Sequence, residues 1–582
     1  MIKRTIRIVL LLALAPLAAA AQVEKQVEVS KSYLPEVAAA SKLAIIPDRT
    51  DTVKIRPDID YTVEPRSFDT HLTAHTFRPA TVTYWEFNRP TPYYLKVGAG
   101  YPLNSVADFY ASTQHPSIGY ALLYLNHDGE YGKIRNDAGE RLNSTRMTNR
   151  IGAAAGRYLG RHQLEGAVWY DNRMHHRYGA SETAEDPMAG NRIQFGEAGI
   201  RVRIGDDFFD DRKVNFNVEG YGTFLHDDSK TLSLLDARQI DGGGEAEIGF
   251  RFRKHRLRIR ALFDGCWGAG DLSSYSSYTA GASLRYAFAS RTVDAEAGLD
   301  YAYSRITTSA ERNPFHYLLP YLRLHFNVGN GAFVPFIEVN GRVEGNDFRT
   351  LVRENPYVIT GFVLPKNTVD YNLRFGVTGN VGNRFAYRLF ICMTWLENAR
   401  YWYGMNFPQA ETTTDNYLQF GIAQARRNTA VIGGELRWRP ARNFRIDWEV
   451  RGFMHDFTAL IGEHKLGGGL PALETTLKMQ YDHRRFSIGA SARLVSTRYW
   501  TNIAVTRRTD EVPATAEGAF EGRFSTYEVP ITVDVRLNAD YRVSRRVTIF
   551  AEGRNLANRR LYEWANYPLH GAGFTAGVKC VF

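Results

Sequence analysis

The residues able to do chemistry in this chain lie in alternating runs of charge. In EAEIGFRFR, Glu245 and Glu247 oppose Ala246, Ile248, Phe250 and Phe252. In RLRIRALF, Arg256, Arg258 and Arg260 oppose Leu257, Ile259, Ala261 and Phe263. VDAEAGLDYAY sets Asp294 and Glu296 against Val293, Ala295 and Ala297, and VPITVDVRLNADY sets Asp534 and Arg536 against Val533, Val535 and Leu537. Charge at every second residue lines one face of an extended chain. Such a face can select an anionic solute, or neutralise itself against the neighbouring strands. Either use puts these nine residues on a polar inner surface.

Other chemistry is thin. There is no Gly-Lys-Ser phosphate loop, no His-Glu-x-x-His zinc motif and no Gly-x-Ser-x-Gly elbow. GASLR (281–285) and GASAR (489–493) lie inside strand patterns without a His and Asp neighbourhood. His175 and His176, adjacent at a strand end, point to opposite faces and cannot share an ion. Cys266, Cys392 and Cys580 are too far apart for a metal set and odd in number. Tyr401, Trp402, Tyr403 and Phe407 could stack on a sugar or a partner, but interfacial anchoring is the simpler use. These features predict no enzyme, no cofactor and no metal. A net charge of +10 on 582 residues is too dilute to imply nucleic acid.

The elements that must carry the charged faces are strands. Residues 1–21, MIKRTIRIVLLLALAPLAAAA, read as a secretory signal peptide: three cations, an apolar run, then small residues. Residues 22–88 differ from all that follows, with prolines at 35, 47, 57, 65 and 79; they are expected to form a mostly extended periplasmic leader without a core of its own. From 89 to 582 the chain reads as hairpins. Mean hydropathy is −0.34, and no run of 18 apolar residues follows the signal. Transmembrane helices are thereby excluded, but barrel strands, which are only half apolar, are not.

Short turns recur at 159–162, 253–256, 288–292, 328–332, 381–385, 439–444, 482–486 and 542–546, and long polar loops at 342–368, 396–428, 455–470 and 500–528. Short connections on one side and long ones on the other predict a transmembrane, antiparallel, up-and-down β-barrel. Counting gives about 22 strands, with both ends on the short-turn side and no plug domain. Because hydrocarbon leaves no sheet edge unpaired, the last strand should pair with the one near Tyr93–Tyr101.

The final segment FAEGRNLANRRLYEWANYPLHGAGFTAGVKCVF is similar to the end of TonB-dependent outer-membrane receptors: Asn555 and Leu556, the YEW loop, Tyr567 and Pro568, a Gly before the last strand, and a terminal Phe582. The resemblance implies an outer-membrane location, solute uptake or a channel, lipid around the wall, and recognition of Phe574, Val578 and Phe582 by barrel-assembly machinery. Members of that family carry a globular plug ahead of the barrel, and residues 22–88 show no plug motif. VEKQVEVSK (23–31) is the one stretch comparable to a TonB box, which counts against energised transport. The chain is similar to plug-less barrels of this type, whose lumen is closed by leader, loops or partner. The second expectation is a non-transporting scaffold for a surface lipoprotein or assembly machinery.

Overall fold

The computed structural model describes residues 92–582, apart from 116–117, 138, 140, 180–191, 207–212, 230–235, 310–311, 329–330, 360–362, 407–417 and 508–519. The signal peptide and leader expected over 1–88 lie outside the described residues. One sheet of 24 strands runs through the chain. Two of them, Arg498–Arg507 and Phe520–Val529, form a hairpin that leaves the wall, and the strands before and after it, Phe486–Val495 and Thr532–Arg542, pair directly. The remaining 22 are antiparallel and close on themselves.

Closure follows the expected seam. Tyr93–Tyr101 pairs with Gly573–Val581, from Tyr94↔Val581 to Tyr101↔Phe574, and with Asn104–His115 on its other edge. Tyr93 and Phe582 exchange two N–H···O bonds of 3.0 Å, and their rings stack at 5.4 Å. Every strand of the wall thus has two neighbours, the condition a spanning sheet must meet. The outward set is apolar: Leu284, Leu299 and Leu318 are 53, 46 and 58% exposed, whereas Ser283 and Glu296, facing the other way, are buried. Exposed leucine outside and buried charge inside reverses the order of a water-soluble sheet and suits a lipid-facing wall.

The first wall strand begins and the last one ends at the rim that carries the short turns. The rule of short against long has exceptions: Pro102 and Leu103 alone join the first two strands on the loop side, and 206–213 is the longest connection on the turn side. All four of the expected long loops hold regular structure, 455–470 only a short hairpin of Leu460–Ile461 with His464–Lys465. The range 396–428 is mostly strand, since Phe385–Asn406 and Gln419–Ala441 run to 22 and 23 residues, about twice the length that crosses hydrocarbon. The pattern hides this because the register shifts between Leu396 and Ala399, where Asn398 has φ 54°; a bulge moves every later side chain to the opposite phase. The range 500–528 holds the hairpin already described. Val529, read as continuous with the strand that follows, belongs to that hairpin and is fully buried among the loops. The range 342–368 contains a helix, Phe348–Glu354.

Candidate functional site

On the inner wall eight of the nine charges enter ion pairs. Arg258 reaches Glu247 at 3.8 Å and also bonds Glu296, and Arg260 lies 3.7 Å from Glu245. Arg323 bridges Asp294 at 3.3 Å and Glu296 at 3.6 Å, and Arg536 meets Asp534 at 2.7 Å on its own strand. Arg256 has no carboxylate at ion-pair distance among the described residues and stands across from Arg251 in the ladder. Pairs on adjacent strands further around the ring, such as Arg285–Asp300 at 2.8 Å and His325–Glu338 at 3.1 Å, repeat the arrangement. An arginine paired on the neighbouring strand satisfies both groups without burying either alone.

Above this wall the loops fold together. Leu418 precedes the sixteenth wall strand, Gln419–Ala441, and Gly179 follows the fifth, His162–His176. In a ring of 22 these strands stand on nearly opposite sides, so the 2.8 Å bond from the Leu418 N–H to the Gly179 carbonyl crosses the mouth. Tyr567, from the connection ahead of the last strand, donates its hydroxyl to the Leu418 carbonyl at 2.5 Å and stacks on Tyr357 with centroids 3.8 Å apart. Tyr178 packs edge-on against both. Beside them Trp564 touches Trp402, Trp500 and Phe420, with centroids 5.4 to 5.5 Å away. Burial pushes the Tyr178 hydroxyl up to about 12 and that of Tyr357 well above its usual value, so both remain neutral phenols inside this lid.

The helix Phe348–Glu354 seats the lid on the wall. Asp347 caps it, accepting the Thr350 N–H at 2.9 Å, and buries Phe348, Leu351 and Val352 against strand tops that include Phe195. Its other face carries Arg349 and Arg353, which both bond Glu197, a carboxylate 1% exposed. Gln239 accepts the Arg349 N–H at 3.0 Å and donates to Asp347 at 2.8 Å and to Asp241 at 2.6 Å. A helix of seven residues has little stability of its own, and these contacts supply it.

Several loop residues are placed otherwise than their composition suggests. Tyr401 is fully buried against Phe457, and Trp402 lies in the aromatic core, so neither anchors at an interface; Phe407 is outside the described residues. His175 packs edge-on to Tyr357, and His176 bonds the Thr145 carbonyl at 2.8 Å, so the two diverge. Glu197, Arg349, Arg353 and Tyr357 were not singled out by the sequence. The available signal was Asn346–Asp347 ahead of Phe348, Leu351 and Val352 with Pro356 behind, a helix pattern about two turns long and therefore weak. Among the described residues no group of three or more His, Cys, Asp or Glu is placed to hold a metal ion.

No protein-family model matches the sequence, and no curated protein is similar to it. Solved structures are. The iron transporter FrpB from Neisseria meningitidis superposes with a TM-score of 0.64 at 12% identity, covering 85% of this chain and 82% of that one. The siderophore receptor PirA from Acinetobacter baumannii gives 0.61 at 10%, covering 84% and 80%. The ferripyoverdine receptor of the outer membrane of Pseudomonas aeruginosa gives 0.58 at 10%, covering 84% and 71%. The fold is a barrel of the TonB-dependent receptor type. At such identities the likeness is one of fold, and the roles of individual residues rest on the geometry above.

Proposed function

We propose that this receptor-type barrel takes up a solute across the outer membrane and that its loops hold the mouth shut at rest. The lid carries this reading: connections from opposite sides of the ring bury one aromatic core and clamp a helix to the inner wall through Glu197. Contacts of this kind are reversible, and the ion-paired wall beneath offers a path along which a polar solute stays solvated. Residues 1–21 are the signal peptide, 22–88 the leader and 89–582 the barrel. Phe574, Val578 and Phe582, exposed together on the outward face of the last strand, are the assembly signal. The inner charges Glu245, Glu247, Arg256, Arg258, Arg260, Asp294, Glu296, Asp534 and Arg536 line the path.

Conductance in planar bilayers tests this reading. The full-length protein should be closed, and Glu197→Ala, which releases the helix, should open it. Silence from both, with and without residues 22–88, would instead favour the scaffold reading. That second reading has its own observation: the 22- and 23-residue strands carry a ribbon well beyond the wall on the loop side, where a surface lipoprotein or other outer-membrane subunit could dock.

A further inference from the structure

The two rims of the barrel differ in charge. The eleven connections on the loop side hold 15 Lys and Arg against 20 Asp and Glu. The ten on the short-turn rim hold 12 Lys and Arg against four Asp, and all four Asp fall in the stretch 206–213. The cations are spread around the ring, from Arg161 after the fourth strand to Arg545 and Arg546 after the twentieth. Arg253, Lys254, Arg484, Arg485, Arg545 and Arg546 are all exposed, and none forms an ion pair among the described residues. Next to these turns the outward face ends in aromatic side chains: Phe252 and Tyr541 are 61 and 49% exposed.

We infer that the short-turn rim is an interface for anionic phospholipid headgroups of the leaflet facing the periplasm. Exposed aromatics settle at headgroup depth, which sets the turns one or two residues beyond them at the level of the lipid phosphates. A cation held there attracts anionic lipid by about fivefold in local partition, an effect limited to about a Debye length. The annular spread selects lipid over a protein partner, because a folded protein would engage one arc of the rim while lipid surrounds all of it. Arg253, Lys254, Arg484, Arg485, Arg545 and Arg546 have no ion-pair partner among the described residues, which leaves them open to a headgroup anion. The inference is independent of whether the barrel transports.

The test uses the full-length protein in bilayers of phosphatidylethanolamine containing a minority of phosphatidylglycerol, with retained lipid measured by mass spectrometry after detergent extraction. Phosphatidylglycerol should be enriched several-fold over the bulk. The quadruple variant Arg484→Gln, Arg485→Gln, Arg545→Gln, Arg546→Gln should lose most of that enrichment, and the loop-side pair Lys133→Gln, Lys465→Gln should keep it. Heat-dependent migration verifies that each variant is folded. Retained lipid of bulk composition in the parent protein, or equal loss in both variants, overturns the inference. So does capture of an acidic periplasmic protein that depends on the four arginines without lipid enrichment.

Discussion

Glu197 concentrates the question of how the mouth stays closed, because one buried carboxylate holds two arginines from the helix Phe348–Glu354. Glu197→Gln keeps the shape and removes the charge. Arg349 and Arg353 are 20 and 42% exposed, so water takes over part of their solvation, and the expected loss of helix docking is about 1–3 kcal/mol. Hydrogen exchange should show faster opening at Phe348–Glu354 with the barrel strands unchanged; equal protection in parent and variant would remove Glu197 from the closure. His570 gives the lid a pH dependence. It bonds the Ser144 hydroxyl at 3.1 Å, and burial, then the charges of Arg146 and Arg554, hold its ring below the ordinary imidazole value. A released loop would protonate first, so the contact is fully stable above about pH 6.5 and weakens as pH falls from there toward the lowered value. Protease sensitivity of the connection 555–572 should rise over that window in the parent protein and not in His570→Gln. Neither residue was legible in the sequence, since Glu197 sits in a strand like any inner carboxylate and its partners lie about 150 positions away. The shared face of Glu245 and Glu247, and that of Arg258 and Arg260, was legible, because a period of two is a local property.

The elements divide the same way. Wall strands announce themselves by alternation, since each must present grease to lipid and charge to the lumen along its own length. Lid elements do not, because loops pack against one another on several sides and no period survives. The strand Phe385–Asn406 shows both behaviours within one element: its lower part alternates, and beyond the bulge at Asn398 the phase shifts and Tyr401 turns into a core built from Ala459 and Leu466. The helix Phe348–Glu354 is the extreme case, ordered by its surroundings. Leu351, at 0% exposure, sits in the middle of the lid core, and Leu351→Ala should cost about 2–5 kcal/mol of lid stability. That loss should be confined to the lid. Loop cores and spanning walls open as separate cooperative units, so lid hydrogen exchange should accelerate while heat-dependent migration of the barrel stays unchanged. A variant that also lowers the temperature of the migration change would show the lid to be part of what holds the wall together.

Closure of the ring depends on one seam, where the first and last strands meet without a covalent link. Gly98 and Gly577 face each other there, and the buried ring of Phe550 covers both, with the ammonium groups of Lys96 and Lys579 4.6 and 5.2 Å from its centroid. The two glycines are required for different reasons. A Cβ on Gly577 would stand 2.0 Å from the Val97 carbonyl oxygen, a backbone atom that cannot move without breaking the seam ladder. A Cβ on Gly98 would stand 2.6 Å from the tip of the Phe550 ring, a side chain that can be shortened. Gly577→Ala and Gly98→Ala should therefore both lower the temperature at which the barrel loses its compact migration. Only Gly98→Ala should be rescued by Phe550→Leu. Gly222→Ala, where the nearest atom would be Ile200 Cγ2 at 3.7 Å, should migrate as the parent does. If Phe550→Leu rescued both, the backbone approach at Gly577 would not be what limits closure, and the seam would be held by the aromatic cover and not by the fit of two strands.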